Sequence, residues 1–133
     1  MAKKRVMPVK TQTVRLEEEW EGWEFTARIN PSIGVFEKLQ SGDFGKICEA
    51  LGETIIDWNF VDEQGDDLPA PGPARTAAKE QYRATLNGSK PDRPYELDLM
   101  TQAGAEAVSL VTFDLVVKVS EALSNAIAEP EKN

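Results

Sequence analysis

The chain has 133 residues, 41% hydrophobic and 29% charged, which predicts a single globular domain with one core. The formal net charge of -8 at pH 7 disfavours nucleic acid and membranes as partners, because phosphate backbones and many lipid surfaces are also negative. The sequence has no histidine and Cys48 is its one cysteine, so we expect no enzyme, no metal centre, no cofactor and no internal disulfide, and a cytoplasmic location.

Residues 1–12 form a basic segment that contains Lys3, Lys4, Arg5 and Lys10. Polar residues follow before any continuous apolar stretch can form, so the segment does not resemble a secretory signal. We expect a flexible, solvated arm, and contact with an anionic surface is the alternative. The globular domain is then predicted over residues 13–128, followed by a flexible tail over 129–133.

Two segments in which apolar and polar residues alternate, 14–20 and 23–29, predict an N-terminal β-hairpin. A two-residue loop between them would bring Trp20 opposite Trp23. The same register places Glu18 on the apolar face, which is its one mismatch. The predicted cross-strand pairs are Trp20–Trp23, Glu18–Phe25, Leu16–Ala27 and Val14–Ile29.

Two short helices are predicted after the hairpin. Asn30, which is followed by proline, marks the start of the first helix, with an inward stripe of Ile33, Phe36 and Leu39. Asp43 is placed to cap the second helix. Its apolar residues fall at i, i+3, i+4 and i+7 and are Phe44, Ile47, Cys48 and Leu51. This periodicity places Cys48 in the core, and without histidine no general base is at hand to make it a nucleophile.

Aromatic and β-branched residues over 55–61 predict a strand with Trp58 in the core, ending in an acidic turn at residues 62–67. The turn has carboxylates that suit a hard cation, but their spacing does not match a calcium-binding loop, and we interpret it as a solvated turn. Residues 66–94 are predicted to form an exposed proline-rich loop, within which residues 74–86 have a helix-forming composition.

The C-terminal segment predicts one long helix, because apolar residues recur at steps of three and four from residue 97 to residue 126. A strand over residues 110–119 is the alternative, since β-branched valines alternate there with other residues. The alanine-rich flanks favour the helix. The complete pattern predicts an α+β fold with an N-terminal hairpin, short helices, one aromatic strand and a long C-terminal helix.

Large apolar residues that a small monomer cannot cover are the predicted contacts with other proteins. Trp20 and Trp23 flank the hairpin turn, and Phe113, Val116 and Val117 lie beside the main apolar stripe of the C-terminal segment. We predict these five as partner-binding residues, and we expect self-association or a complex with another protein.

The segment after the second helix also carries a family resemblance. Its order is tryptophan-asparagine, an acidic turn with glycine, and leucine-proline, formed by Trp58, Asn59, Asp62, Glu63, Gly65, Leu68 and Pro69. This pattern, within residues 23–69, resembles the tail assembly chaperones of long-tailed phages. Residues 70–94 depart from the family pattern.

The resemblance implies a protein of the host cytoplasm, outside the virion, that binds the tape measure protein and helps recruit tail tube subunits. Such a role requires exposed apolar surface, an acidic solubilising exterior and several weak sites used together. Two other hypotheses are a structural subunit of the phage tail or neck and an acidic regulator that mimics DNA.

Overall fold

The computed structural model describes residues 5–130, so the predictions for residues 1–4 and 131–133 lie outside the described residues. A three-stranded antiparallel sheet in the order β1-β2-β3 packs against helices, which confirms the predicted α+β fold. The elements in chain order are β1 (Thr11–Arg15), β2 (Glu24–Arg28), α1 (Ile33–Gln40), α2 (Phe44–Thr54), β3 (Ile55–Trp58), α3 (Pro71–Ala84), α4 (Arg93–Ser109) and α5 (Phe113–Ala128). Between residues 5 and 130, none of the helices has the length and apolar character needed to span a bilayer.

The predicted hairpin is present, but its predicted register is wrong. Val14 pairs with Phe25 rather than with Ile29, because the strands are joined by a longer loop that contains a short 3-10 helix. The loop is closed at its base by the Leu16 amide, which donates a hydrogen bond to the Trp23 carbonyl at 2.9 Å. Glu18 lies in this loop and is exposed, so the mismatch created by the predicted register does not occur.

The sequence predicts that Asn30 caps α1, but the structure shows that it does not. Its side-chain carbonyl accepts a hydrogen bond from the Lys10 amide at 2.9 Å, and its side-chain amide donates to the Pro8 carbonyl at 2.8 Å. The backbone between residues 8 and 10 is therefore fixed against the base of the hairpin, which corrects the prediction of a flexible arm for that part of residues 1–12. Residues 11 and 12 belong to β1.

Helix α1 is capped by Ser32, whose hydroxyl accepts a hydrogen bond from the Val35 amide at 3.3 Å. Its predicted inward stripe is wrong at two positions, because Ile33 and Phe36 are exposed and only Leu39 is buried. The start of α1 therefore projects from the body of the domain.

Helix α2 begins as predicted. The Asp43 side chain accepts a hydrogen bond from the Lys46 amide at 3.1 Å, and Cys48 and Leu51 are buried in the core. Strand β3 follows directly and confirms the predicted aromatic strand. Trp58 is half-buried rather than fully enclosed, and its ring stacks on Phe60 with centroids 4.6 Å apart.

The helix-forming composition of residues 74–86 is matched by α3, but this helix begins earlier, at Pro71, so the predicted exposed loop over residues 66–94 is wrong for residues 71–84. Pro71 and Pro73 lie in the first turn of this helix, where a missing backbone N–H leaves no hydrogen bond unmade. Gly72 lets the helix approach β3 closely, since a Cβ on Gly72 would overlap the Ile56 carbonyl. Proline interrupts a helix at interior positions, but Pro71 and Pro73 are compatible with the start of α3.

The predicted single C-terminal helix is instead two helices, α4 and α5, with residues 110–112 between them. Helix rather than strand is confirmed for residues 113–119. Thr112 has extended backbone at the N-cap of α5, and Val111 and Thr112 are β-branched residues that favour helices weakly. The break allows α4 to pack on α2 and α3 while α5 packs on β1.

Candidate protein interface

The junction between α4 and α5 holds two exposed apolar side chains on an ordered turn. Leu110 is 60% exposed and Phe113 is 67% exposed, whereas Val111 between them is buried. The Leu110 and Val111 amides donate hydrogen bonds to carbonyls of the last turn of α4, at 3.4 and 3.0 Å. The two exposed side chains therefore project from a backbone whose position is fixed.

A cleft of about 540 Å³ lies between α2 and the junction, and we call it the helix cleft. Phe44 at the start of α2 and Phe113 at the start of α5 both line it, and their rings pack against each other with centroids 4.9 Å apart. Glu49 and Glu106 add carboxylates to its lining. The floor consists of buried side chains, Cys48, Val108, Val111 and Val116. The helix cleft is thus an apolar groove with two exposed phenylalanines.

A second cleft of about 360 Å³ lies on the other side of the junction, and we call it the tryptophan cleft. Its apolar lining includes Trp20, Trp23, Leu68, Leu110 and Leu115. Polar residues of the acidic turn complete the lining, namely Asp62, Glu63 and Gln64. Because Val111 lines both clefts, they are neighbours on one side of the domain.

Some of the residues that carry the family resemblance line the tryptophan cleft, and Trp58 and Asn59 hold that lining in place. The Asn59 side chain accepts a hydrogen bond from the Glu24 amide and donates one to the Gly22 carbonyl, both at 2.9 Å. These two contacts hold the backbone on either side of Trp23. The Trp58 indole N–H donates to the Leu68 carbonyl at 2.9 Å, which holds the end of the acidic turn beside the sheet.

The five predicted partner-binding residues fall into these two adjacent clefts and their border. Trp20 and Trp23 are half-buried and form an edge-to-face pair with ring centroids 5.2 Å apart. Phe113 lines the helix cleft, and Val117, which is 37% exposed, lies one helical turn further along α5. All four side chains therefore retain exposed surface.

Val116 is the exception, because it is only 2% exposed and belongs to the core. Successive residues of a helix point about 100° apart, so neighbours in sequence lie on different faces. Helix α5 turns Val116 toward α2 and leaves Val117 outside. Val116 is therefore a core residue that contributes to the floor of the helix cleft, and not an exposed contact residue as predicted.

Two exposed residues that line the clefts are not predicted from the sequence, Phe44 and Leu110. The apolar period of α2 predicts Phe44 in the core, but it lies in the first turn of the helix and is 41% exposed. Leu110 belongs to the C-terminal apolar run and gave no signal of its own. Its exposure follows from the break between α4 and α5, and the β-branched pair that follows Leu110 was the one local sign of that break.

The acidic turn and Cys48 have structural explanations. One Asp62 carboxylate oxygen accepts hydrogen bonds from the Gln64 and Asp66 amides, both at 2.9 Å, so this carboxylate caps its own turn. Burial raises the pKa of the Cys48 thiol, which makes it a poor nucleophile. Over residues 5–130, the structure contains no group of three or more potential metal-ligating side chains placed to share an ion.

Glu96 is a buried charge that sequence reasoning did not predict. Its carboxylate accepts hydrogen bonds from Arg83 at 2.8 and 3.2 Å, and from Arg93 at 3.4 Å. Hydrogen bonding to Arg83 outweighs burial and lowers the pKa of Glu96 below its ordinary value. The pairing links α3 to α4, so we assign it a structural role rather than a role in binding.

Comparison with known proteins identifies no relative of this chain. No protein-family model matches it, and neither a curated protein nor a solved structure is significantly similar to it. The function is therefore inferred from the two clefts and from the residues that form them.

Proposed function

We propose that this protein is a phage tail assembly chaperone that captures apolar helical segments of the tape measure protein in the host cytoplasm and helps to bring tail tube subunits to them. The helix cleft is the capture site in this proposal. Helical partners commonly bind by placing an apolar face in a groove of this kind.

The observation that carries the proposal is the exposure of large apolar side chains around a groove with fixed walls. Phe44 and Phe113, which are 41% and 67% exposed, line a groove with a buried apolar floor. Leu110 and Val117, which are 60% and 37% exposed, lie beside this groove, on the junction and on α5. A monomer rarely exposes such a cluster unless a partner covers it. Aromatic side chains at the centre of a groove contribute strongly to protein binding.

The charge of the chain supports the same role. A net charge of -8 favours solubility while the apolar groove is open. A long helical partner offers many similar apolar faces, so several copies bound to it would hold it through individually weak contacts.

The test is co-expression with overlapping fragments of a candidate tape measure protein, followed by light scattering of the purified complexes. We expect a soluble complex that contains several copies of this protein per fragment. If none of the fragments formed a complex with this protein, the proposed function would be refuted.

A pair of matched variants tests the groove itself. Phe113→Ser/Val117→Ser removes two exposed apolar side chains beside the helix cleft, and Ile33→Ser/Phe36→Ser removes two of comparable exposure from α1. We expect the first to weaken binding at least about tenfold and the second to leave it unchanged. Equal binding by both variants would show that the helix cleft is not the capture site.

A structural subunit of the tail or neck is the second candidate, and the position of β1 favours it. Strand β1 forms one edge of the sheet, to which a neighbouring subunit could add a strand. Closed rings or tubes formed by the pure protein would support this candidate over the chaperone.

A further inference from the structure

We propose that the tryptophan cleft binds residues 5–10 of a second copy of this chain, so that the protein self-associates by exchange of N-terminal arms. We call residues 5–10 the arm. The proposal concerns a different cleft from the one assigned to capture and does not depend on the proposed function.

The arm displays apolar side chains that its own domain does not cover. Val6, Met7 and Val9 are 90%, 83% and 63% exposed, although Pro8 and Lys10 are hydrogen-bonded to Asn30. The segment carries no helix or strand. A segment that hydrogen bonds already hold in place loses less conformational entropy when a partner binds it.

The arm cannot reach the tryptophan cleft of its own domain. Asn30 holds Pro8 at one end of β1, and the loop that carries Trp20 lies at the other end, a strand length of about 17 Å away. Val6 is two residues from Pro8 and therefore reaches about 7 Å at most. An arm that fills the cleft must come from another copy.

Charge complementarity identifies the arm as the occupant. Arg5 and Lys10 flank its apolar residues, and Lys3 and Lys4 precede it in sequence. The cleft and the adjacent hairpin loop carry exposed carboxylates that form no ion pair within residues 5–130, namely Glu17, Glu18, Glu19, Glu21 and Glu63. A basic, apolar segment thus matches an apolar floor with an acidic border.

The contact joins the arm of one copy to the tryptophan cleft of another. If each of two copies places its arm in the cleft of the other, both clefts are filled and a closed dimer results. Only short segments are buried, and we therefore expect modest affinity, with a Kd between about 1 μM and 1 mM. Exposed charges strengthen the contact, so association weakens as salt rises.

The experiment measures the mass of the full-length protein by sedimentation over a concentration series. Val6→Asp/Met7→Asp disrupts the arm, and Glu63→Lys/Gln64→Lys makes the border of the cleft basic. We expect each variant to weaken self-association at least about tenfold. Because both remove the same contact, their combination should weaken it little further than the stronger variant alone.

Two controls carry equal changes of charge at exposed positions outside both clefts. Leu97→Asp/Gln102→Asp on α4 matches the arm variant, and Glu80→Lys/Gln81→Lys on α3 matches the cleft variant. Both controls should associate as the wild-type protein does. Circular dichroism checks that every variant is folded, as expected for substitutions of exposed side chains.

Three results would overturn the proposal. The first is a wild-type protein that stays monomeric up to about 1 mM. The second is association that neither the arm variant nor the cleft variant weakens. The third is equal weakening by the matched controls, which would indicate a general effect of charge. None of these results bears on capture of a helical partner by the helix cleft.

Discussion

Gly52 of α2 and Gly104 of α4 meet backbone to backbone where the two helices cross. A Cβ on Gly52 would lie 2.5 Å from the carbonyl carbon of Gly104, closer than atoms pack in proteins. Both residues are buried, so neither helix has room to move aside. This contact sets the distance of α4, and hence of the junction, from α2.

Gly104→Ala should destabilise the fold by about 2 kcal/mol, because the added methyl group would overlap the Gly52 backbone. Gly34→Ala is the matched control, since a methyl group at that helical position meets open space. It should stabilise the protein by about 0.5 kcal/mol through helix propensity. Urea unfolding measures both effects, and equal stability of the two variants would contradict the tight crossing.

Trp58→Phe should cost about 1 kcal/mol of stability, because the Leu68 carbonyl loses its hydrogen bond from the indole N–H. Trp20→Phe is the control, as its indole N–H has no hydrogen-bond partner within residues 5–130. Thermal unfolding followed by circular dichroism compares the two. If Trp20→Phe proved the more damaging, the assigned role of Trp58 in holding residues 61–68 would be wrong.

Val116→Asp and Val117→Asp should have very different effects on folding stability, although the two residues are adjacent. Val116 is buried, and a carboxylate at that position would lack a partner, so we expect a loss of about 4 kcal/mol or more. Val117 is exposed, and its substitution should change stability by less than about 1 kcal/mol. Chemical unfolding distinguishes them, and similar losses would show that α5 is rotated from the orientation described.

Glu96→Gln should destabilise the protein at pH 7 by removing the charge paired with Arg83. Hydrogen bonding to Arg83 lowers the folded-state pKa of Glu96, so the ionised form stabilises the fold above the ordinary pKa of 4.5. That stabilisation is lost as pH falls from this value through the lower folded-state pKa. The stability difference between wild type and Glu96→Gln should therefore shrink below pH 4.5.

Glu106→Gln serves as the control for this titration, since Glu106 is an exposed residue of the same helix. Urea midpoints measured from pH 3 to pH 7, roughly the range in which carboxylates titrate, give the comparison. A difference between wild type and Glu96→Gln that stays constant down to the lowest pH would argue against an ionised Glu96 in the fold.

Local sequence signals predicted the elements whose stability is local. Asp43 and the apolar period after it predicted α2, because a cap and one buried face suffice to define a helix. Alternation predicted the hairpin strands and the aromatic strand. Apolar character also selected Trp20, Trp23, Phe113 and Val117, and all four retain exposed surface at or beside the two clefts.

The hairpin register and the break between α4 and α5 depend on tertiary contacts, which join residues that are far apart in sequence. The register of the hairpin depends on a loop braced by Asn59, which lies 37 residues beyond Gly22. The break between α4 and α5 follows from packing on different elements, and it is this break that exposes Leu110 and buries Val116. Composition and periodicity thus determined which segments form helices and strands, whereas contacts across the chain determined which side chains remain exposed.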